Sequence, residues 1–359
     1  MDKIGTVRRY SLKELVDADK VKVYGRCVLL DNGALSCDFS ASGIEFNAYC
    51  SGTVTVDVKV IVPTYGKEPE KPFGCYYTVW VDGVRNDARR SEEDPRKNGL
   101  RIDGEGALVL AEDLPEGWHT FKVLKQNNVL RCITELQGIS LAGRFGERPA
   151  DRKVLIEYIG DSLTCGTGNL AIDERGDISI HYEESTRGFA YLTADALGAD
   201  WNIVARPGIG VVFATVDQNN MSEVYHLQCF WRSDITEEVV GRIPDLVVIY
   251  LGTNDNRRLK REPGSAPVFD KAFRHLVDTV IARYGVETPI LLLKSRSLTE
   301  EAKIVIRGIA LDYSNVNAIP FTHHTGGAEG HPNLEEHRME ADDLIAALKE
   351  RYPAIFPAE

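Results

Sequence analysis

Four short stretches carry side chains that together could do acyl chemistry: "GDSLTCG" (Gly160 to Gly166), "RPGIG" around Gly208, "GTND" (Gly252 to Asp255) and "HPN" (His331 to Asn333). A serine hydroxyl is a weak nucleophile at its own pKa and needs an adjacent base to take its proton. Ser162 supplies the hydroxyl, and His331 supplies an imidazole that titrates near neutrality and can return the proton to a leaving alcohol. A tetrahedral intermediate carries an oxyanion, for which the backbone N–H groups of Ser162 and Gly208 and the Asn254 amide offer three donors. Gly208 suits that task because no side chain would stand between backbone and substrate.

Taken singly, each stretch has a plainer reading. A serine in a glycine-rich turn after a strand is commonly a helix N-cap. Asn254-Asp255 is a common turn pair, and His331-Pro332 resembles a turn before a helix. A phosphate cradle would need GxxxxGK[ST], whereas the loop runs on through Gly166-Thr167-Gly168-Asn169 without a lysine. What favours the joint reading is position. Each stretch follows an apolar run that reads as a strand, and in an open parallel sheet the working crevice lies beyond the carboxyl ends of the strands. Asp161 is expected to brace the nucleophile loop, Cys165 to be a small buried thiol, and Asp255 either to bind substrate or to close a turn. His323 and His324 fall near the same rim without a carboxylate or cysteine at ligand spacing. Trp231, in "HLQCFWRSD", is a candidate ring for stacking a sugar, or a wedge that packs its loop; Trp80, Trp118 and Trp201 read as packing residues.

The elements that would hold these residues differ between the two halves of the 359-residue chain. From Val21 to Gly143 short runs such as "TVTVDVKV" and "CYYTVWVDG" alternate in period two and are punctuated by Gly, Asn, Asp and Pro. Seven or more such strands predict an all-β sandwich of jelly-roll type over residues 1–147. "DARRSEEDPRKNG" (Asp87 to Gly99) reads as a solvated loop. From residue 148 to 359 apolar strands alternate with helical segments, which predicts an α/β domain of three layers with a parallel sheet. A formal charge of -12 argues against nucleic acid or an anionic membrane as partner and makes neutral substrates the easier expectation. There is no apolar run of the ~20 residues that a membrane span needs. Seven cysteines, an odd number without a CxxC pair, read as free thiols, and with no secretory signal visible a cytoplasmic location is expected.

The four stretches resemble the four blocks of the SGNH, or GDSL, hydrolases over roughly Val154 to Tyr352. Carried over position by position, the resemblance makes Ser162 the nucleophile, Gly208 and Asn254 oxyanion donors, and His331 the base. A jelly-roll domain joined by "LAGRFGERP" to an SGNH domain of flavodoxin-like topology is similar to carbohydrate esterase family 2. That resemblance implies removal of O-acetyl groups from hemicelluloses such as xylan and mannan, often at the sugar 6-position, with no metal or organic cofactor. Many SGNH enzymes place an aspartate three residues before the histidine, a position held here by Ala328. Either Glu329 orients the ring from a shifted position, or a backbone carbonyl does so and leaves a Ser-His dyad; the resemblance favours the dyad. Two other functions use the same residues or the same fold. A lipolytic or thioester hydrolase would want a mobile apolar acyl pocket, which three Met and 8% aromatics disfavour. A catalytically silent carbohydrate-binding protein would not need the intact Ser162, Asn254 and His331.

Overall fold

The computed structural model describes residues 5–62, 74–85, 100–171, 178–215, 219–230, 241–262 and 264–357. They form two compact units: one from Met1–Asp151 with Ile178–Thr186, the other from most of the chain after Arg152.

The first unit is antiparallel β structure. Its two longest strands, Gly43–Ile61 and Glu105–Lys125, pair with each other, and register shifts at Cys50/Gly52, Gly52/Val54 and Val54/Thr55 interrupt the ladder midway. Bulges of this kind bend a strand and let it serve both layers of a sandwich. Along Gly43–Ile61 burial alternates, with Ile44, Phe46, Ala48, Cys50, Val54, Val56 and Val58 all fully buried. The period-two run thus sends its valines to the core and Thr55, Asp57 and Lys59 to the other face. Phe46 stacks on Phe121 at 4.9 Å within that core. A jelly-roll-type β domain is therefore what the alternating runs build.

Three details depart from or add to the reading of the sequence. A short helix, Leu12–Asp17, is closed by a capping box between Ser11 and Glu14. Trp118, expected to pack, is 58% exposed, with its ring edge-on to Tyr49 and the Arg144 guanidinium over both rings. The segment Ile178–Thr186 returns to this unit, where the Tyr76 hydroxyl meets His181 Nδ1 at 2.7 Å and Asn127 Nδ2 donates to the Ile180 carbonyl at 2.8 Å. The stretch Asp87–Gly99 lies outside the described residues.

The second unit is built on five parallel strands. Across the sheet they run Ala199–Ala205, Val154–Gly160, Leu246–Tyr250, Ile290–Ser295 and Val316–Phe321, the second-first-third-fourth-fifth order of flavodoxin-like folds. "VLIEYIG" and "LVVIY" are almost continuously apolar because both faces of an inner parallel strand are covered. Helix Phe189–Ala196 packs with Leu334–Arg351, and Ala266–Tyr284 packs with Glu300–Asp312, which makes three layers. Glu157 is the one charge on its strand and is fully buried; it accepts from the Tyr225 hydroxyl at 2.6 Å and the Tyr284 hydroxyl at 2.9 Å. The strand order reverses beside Val154–Gly160. The crevice at that reversal is where a doubly wound sheet binds its ligand. Gly160 lies level with Tyr250 across the pair, so the loops bearing Ser162 and Asn254 leave the sheet side by side. Among the described residues no helix is long and apolar enough to cross a membrane.

Candidate active site

Ser162 begins a single helical turn, Ser162–Cys165, immediately after the strand that ends at Gly160. Asp161 caps that turn by accepting from the Leu163 N–H at 3.0 Å, and Gly166 closes it in the left-handed region at φ 75°. A side chain at Gly160 would have its Cβ 1.9 Å from Thr164 Oγ1, so the sharp turn that lifts Ser162 requires glycine. As the first residue of the turn, Ser162 keeps an N–H with no intrahelical acceptor. Cys165 is fully buried.

His331 Nε2 lies 2.8 Å from Ser162 Oγ. Its other ring nitrogen, Nδ1, lies 3.0 Å from the Ala328 carbonyl, so Nδ1 carries the proton and Nε2 is left to accept one from the serine. Glu329 is exposed and makes no hydrogen bond to the ring; its backbone sits in the left-handed region at φ 51°. The loop is fixed from both sides. Gly327 N–H donates to the His331 carbonyl at 2.8 Å, and Asn333 caps helix Leu334–Arg351 in a capping box with Glu336. Glu336 also accepts from the Gly326 N–H at 2.9 Å, which explains why "HPN" runs directly into the helix. Burial lowers the His331 pKa from its ordinary value against the opposing pull of the Ala328 bond, and a neutral ring is the form able to act as base.

Asp161 is fully buried and is the hub between the serine and asparagine loops. Its Oδ2 accepts from Thr253 Oγ1 and from Asn254 Nδ2, the latter at 3.1 Å. Burial pushes its carboxyl up to about 6, opposed by the bonds from Thr253 and Leu163. The Asn254 Nδ2 group also donates to the Ile209 carbonyl at 2.9 Å. Both amide protons thus have protein acceptors, and donation to an oxyanion would take place by sharing one of them. Gly208 has φ 73°, a conformation that a β-carbon would strain, and its carbonyl is held by Thr215 through the N–H at 2.8 Å and Oγ1 at 3.1 Å.

Asp255 does not reach toward a substrate. It is fully buried, and it accepts from the N–H groups of Val211 at 2.8 Å, Val212 at 2.9 Å and Phe213 at 2.8 Å. Of the two roles left open for it, Asp255 takes the structural one, as a brace on the loop that follows Gly208. Burial raises its pKa in spite of those three bonds. His323 Nε2 lies 3.3 Å from the Gly330 carbonyl, part of the base loop and not of the reacting group. Trp231 lies outside the described residues. Among the described residues no three His, Cys, Asp or Glu side chains group as metal ligands. Sequence reasoning did not single out Thr253 or Thr215, although both sit inside or beside the recognised blocks. Of the two orienting groups weighed for the ring, Glu329 and a backbone carbonyl, the structure shows the carbonyl, that of Ala328, which residue type alone could not single out.

A serine hydroxyl against an imidazole at the switch point of a 2-1-3-4-5 sheet is an arrangement able to carry out acyl transfer. The GDSL-like lipase/acylhydrolase family model matches residues 158–356, and the chain belongs to that family. The chain is similar to the Cellulase/esterase CelE of Acetivibrio thermocellus, 25% identical over 345 residues that make up 91% of this chain and 39% of that protein. It is also similar to an acetylxylan esterase / glucomannan deacetylase of Cellvibrio japonicus, 30% identical over 170 residues covering 40% of this chain and 41% of the other. The chain thus spans about two fifths of the length of the curated relatives it matches. A solved family two carbohydrate esterase from Clostridium thermocellum, in complex with cellohexaose, has the same fold with a TM-score of 0.78. It is 22% identical, and the match covers 92% of this chain and 98% of that one.

Proposed function

We propose that the protein is a serine esterase that removes O-acetyl groups from hemicellulose-derived oligosaccharides of the xylan or mannan type, working through a Ser162–His331 dyad. The observation that carries this reading is the relay Ser162 Oγ to His331 Nε2 at 2.8 Å with Nδ1 on the Ala328 carbonyl at 3.0 Å. Ser162 Oγ attacks the acetyl carbonyl carbon while its proton passes to His331 Nε2. The N–H groups of Ser162 and Gly208 and one shared Asn254 proton stabilise the oxyanion. Collapse breaks the bond to the sugar oxygen, which takes the proton from His331 as it leaves. Water then repeats the attack on the acetyl-serine and regenerates the enzyme, with acetate as second product. The carbonyl of Ala328 holds the ring in the right tautomer, the task an aspartate performs in a triad.

The carbohydrate substrate is supported by the names of the similar proteins, an acetylxylan esterase / glucomannan deacetylase and a cellulase/esterase. The reading is tested by measuring acetate release from acetylated xylo- and manno-oligosaccharides beside hydrolysis of p-nitrophenyl esters of rising chain length. Acetate release from the oligosaccharides with a steep fall beyond short acyl chains is expected. Preference for long-chain esters with no acetate released would make the protein a lipid-ester or thioester hydrolase instead.

A further inference from the structure

Beside Asn254 the second unit holds a cavity of about 480 Å³, within the ~300–1,000 Å³ range of small-ligand sites. Asn254, Thr215 and Phe213 line it together with the arginines Arg257, Arg258 and Arg261, and Glu262 is the one acid among its lining residues. The three arginines are not equivalent. Arg258 is spoken for, since its Nε lies 2.7 Å from Glu262 and its guanidinium stands 4.5 Å from the Phe213 ring centre. Arg257 and Arg261 have no ion-pair partner among the described residues, and both are exposed on helix Asn256–Arg261 at a four-residue spacing that puts them on one face. Like charges at that spacing repel, so the pairing works against the helix unless a counter-charge sits between them. In a chain of net charge -12 an excess of cations around a cavity at the catalytic asparagine is a local inversion. A solvated basic face would explain two exposed arginines; it does not explain why both turn into the cavity that Asn254 enters.

We propose that this cavity is a subsite for an anionic substituent of the substrate, a uronate carboxylate carried on the acetylated sugar chain, with Arg257 and Arg261 as its partners. The inference rests on the carbohydrate-esterase reading and sharpens it from neutral to acidic oligosaccharides. A guanidinium takes a carboxylate in a two-point fork, and a second one beside it adds a further charge-assisted contact. Thr215 and Asn220 also line the cavity and offer polar groups to ring hydroxyls, while Arg258 already covers one face of Phe213 and lowers its worth as a sugar-stacking ring.

The test compares kcat/KM for acetylated xylo-oligosaccharides with and without a glucuronosyl branch, in wild type, Arg257→Gln/Arg261→Gln and Arg257→Lys/Arg261→Lys. Each protein's acidic-to-neutral ratio is its own control, so a partly unfolded variant does not alter the reading. The ratio is expected near tenfold in wild type, carried by KM and reduced by added salt. It should fall to about one in the glutamine variant and stay above one in the lysine variant. Glucuronate should also inhibit p-nitrophenyl acetate hydrolysis competitively at concentrations where glucose does not. A ratio of one in wild type, or a ratio unchanged by the glutamine substitutions, overturns the subsite. Inhibition by inorganic phosphate but not by glucuronate overturns the carboxylate assignment. Hydrolysis of p-nitrophenyl acetate with no acetate from either oligosaccharide overturns the carbohydrate reading itself, an outcome distinct from equal use of both.

Discussion

His331 is a base only while its ring is neutral, and Asp161 holds Asn254 only while its carboxyl can accept. Burial moves these two groups toward each other on the pH scale. It lowers the imidazole from its usual 6.5 and raises the carboxyl to about 6. The proposed reaction uses the deprotonated form of both, so kcat/KM should be lost as pH falls through this range, with a logarithmic slope approaching two once both groups are protonated. Asp161→Asn removes one of the two titrations, and its acid limb should fall with a slope of one at a lower plateau rate. An unchanged slope of two in that variant would mean that Asp161 does not titrate in the working range. At this scale the sequence was most legible. Residue type and spacing singled out Ser162 and His331, which the fold brings to 2.8 Å, because a nucleophile and its base each demand particular atoms. Asp255 was left open between two roles because the same carboxylate serves equally well to bind a substrate or to hold backbone N–H groups, and only burial separates the two.

The strands and helices matter to the chemistry through the loops they anchor. Asp255 ties three consecutive N–H groups, Val211 to Phe213, to the loop that leaves Asn254. The Gly208 loop and the Asn254 loop are therefore one unit, although they come from strands two positions apart in the sheet. Removing the acceptor leaves buried or half-buried donors without partners, at about 1–3 kcal/mol each where water cannot replace it. Asp255→Ala should lower urea stability by roughly that amount and reduce kcat/KM at least tenfold with little change in fold by circular dichroism. Wild-type activity in this variant would show that Gly208 needs no such brace. The alternation of strands and helices from residue 148 onward was readable because period two and period 3.6 are hard to confuse over long runs. The return of Ile178–Thr186 to the β unit was not, since its ties to Tyr76, Asn127 and Asn128 pair residues about fifty to over a hundred positions apart.

For the molecule as a whole, a net charge of -12 and a basic cavity coexist. Reading only the total suggested neutral substrates; the local pattern around Asn254 favours an anionic one, because a contact pair in a cavity outweighs screened charges elsewhere. The run "NRRLKRE" that supplies it was visible in the sequence, but a basic run on a short helix is usually a solvated face, and its position beside Asn254 became apparent only from the fold. The two-unit layout was legible in outline, as a β half followed by an α/β half. All of the proposed catalytic atoms belong to the second unit, and every step of the proposed reaction passes through one hydroxyl. The most direct measurement is intact-protein mass spectrometry after exposure to diethyl p-nitrophenyl phosphate, with loss of acetate release followed in parallel. One diethylphosphoryl group per chain, located on Ser162, appearing in step with loss of activity and much more slowly in His331→Ala, is the result expected. A Ser162→Ala protein that still releases acetate, or an inactivating adduct on another residue, would contradict the account.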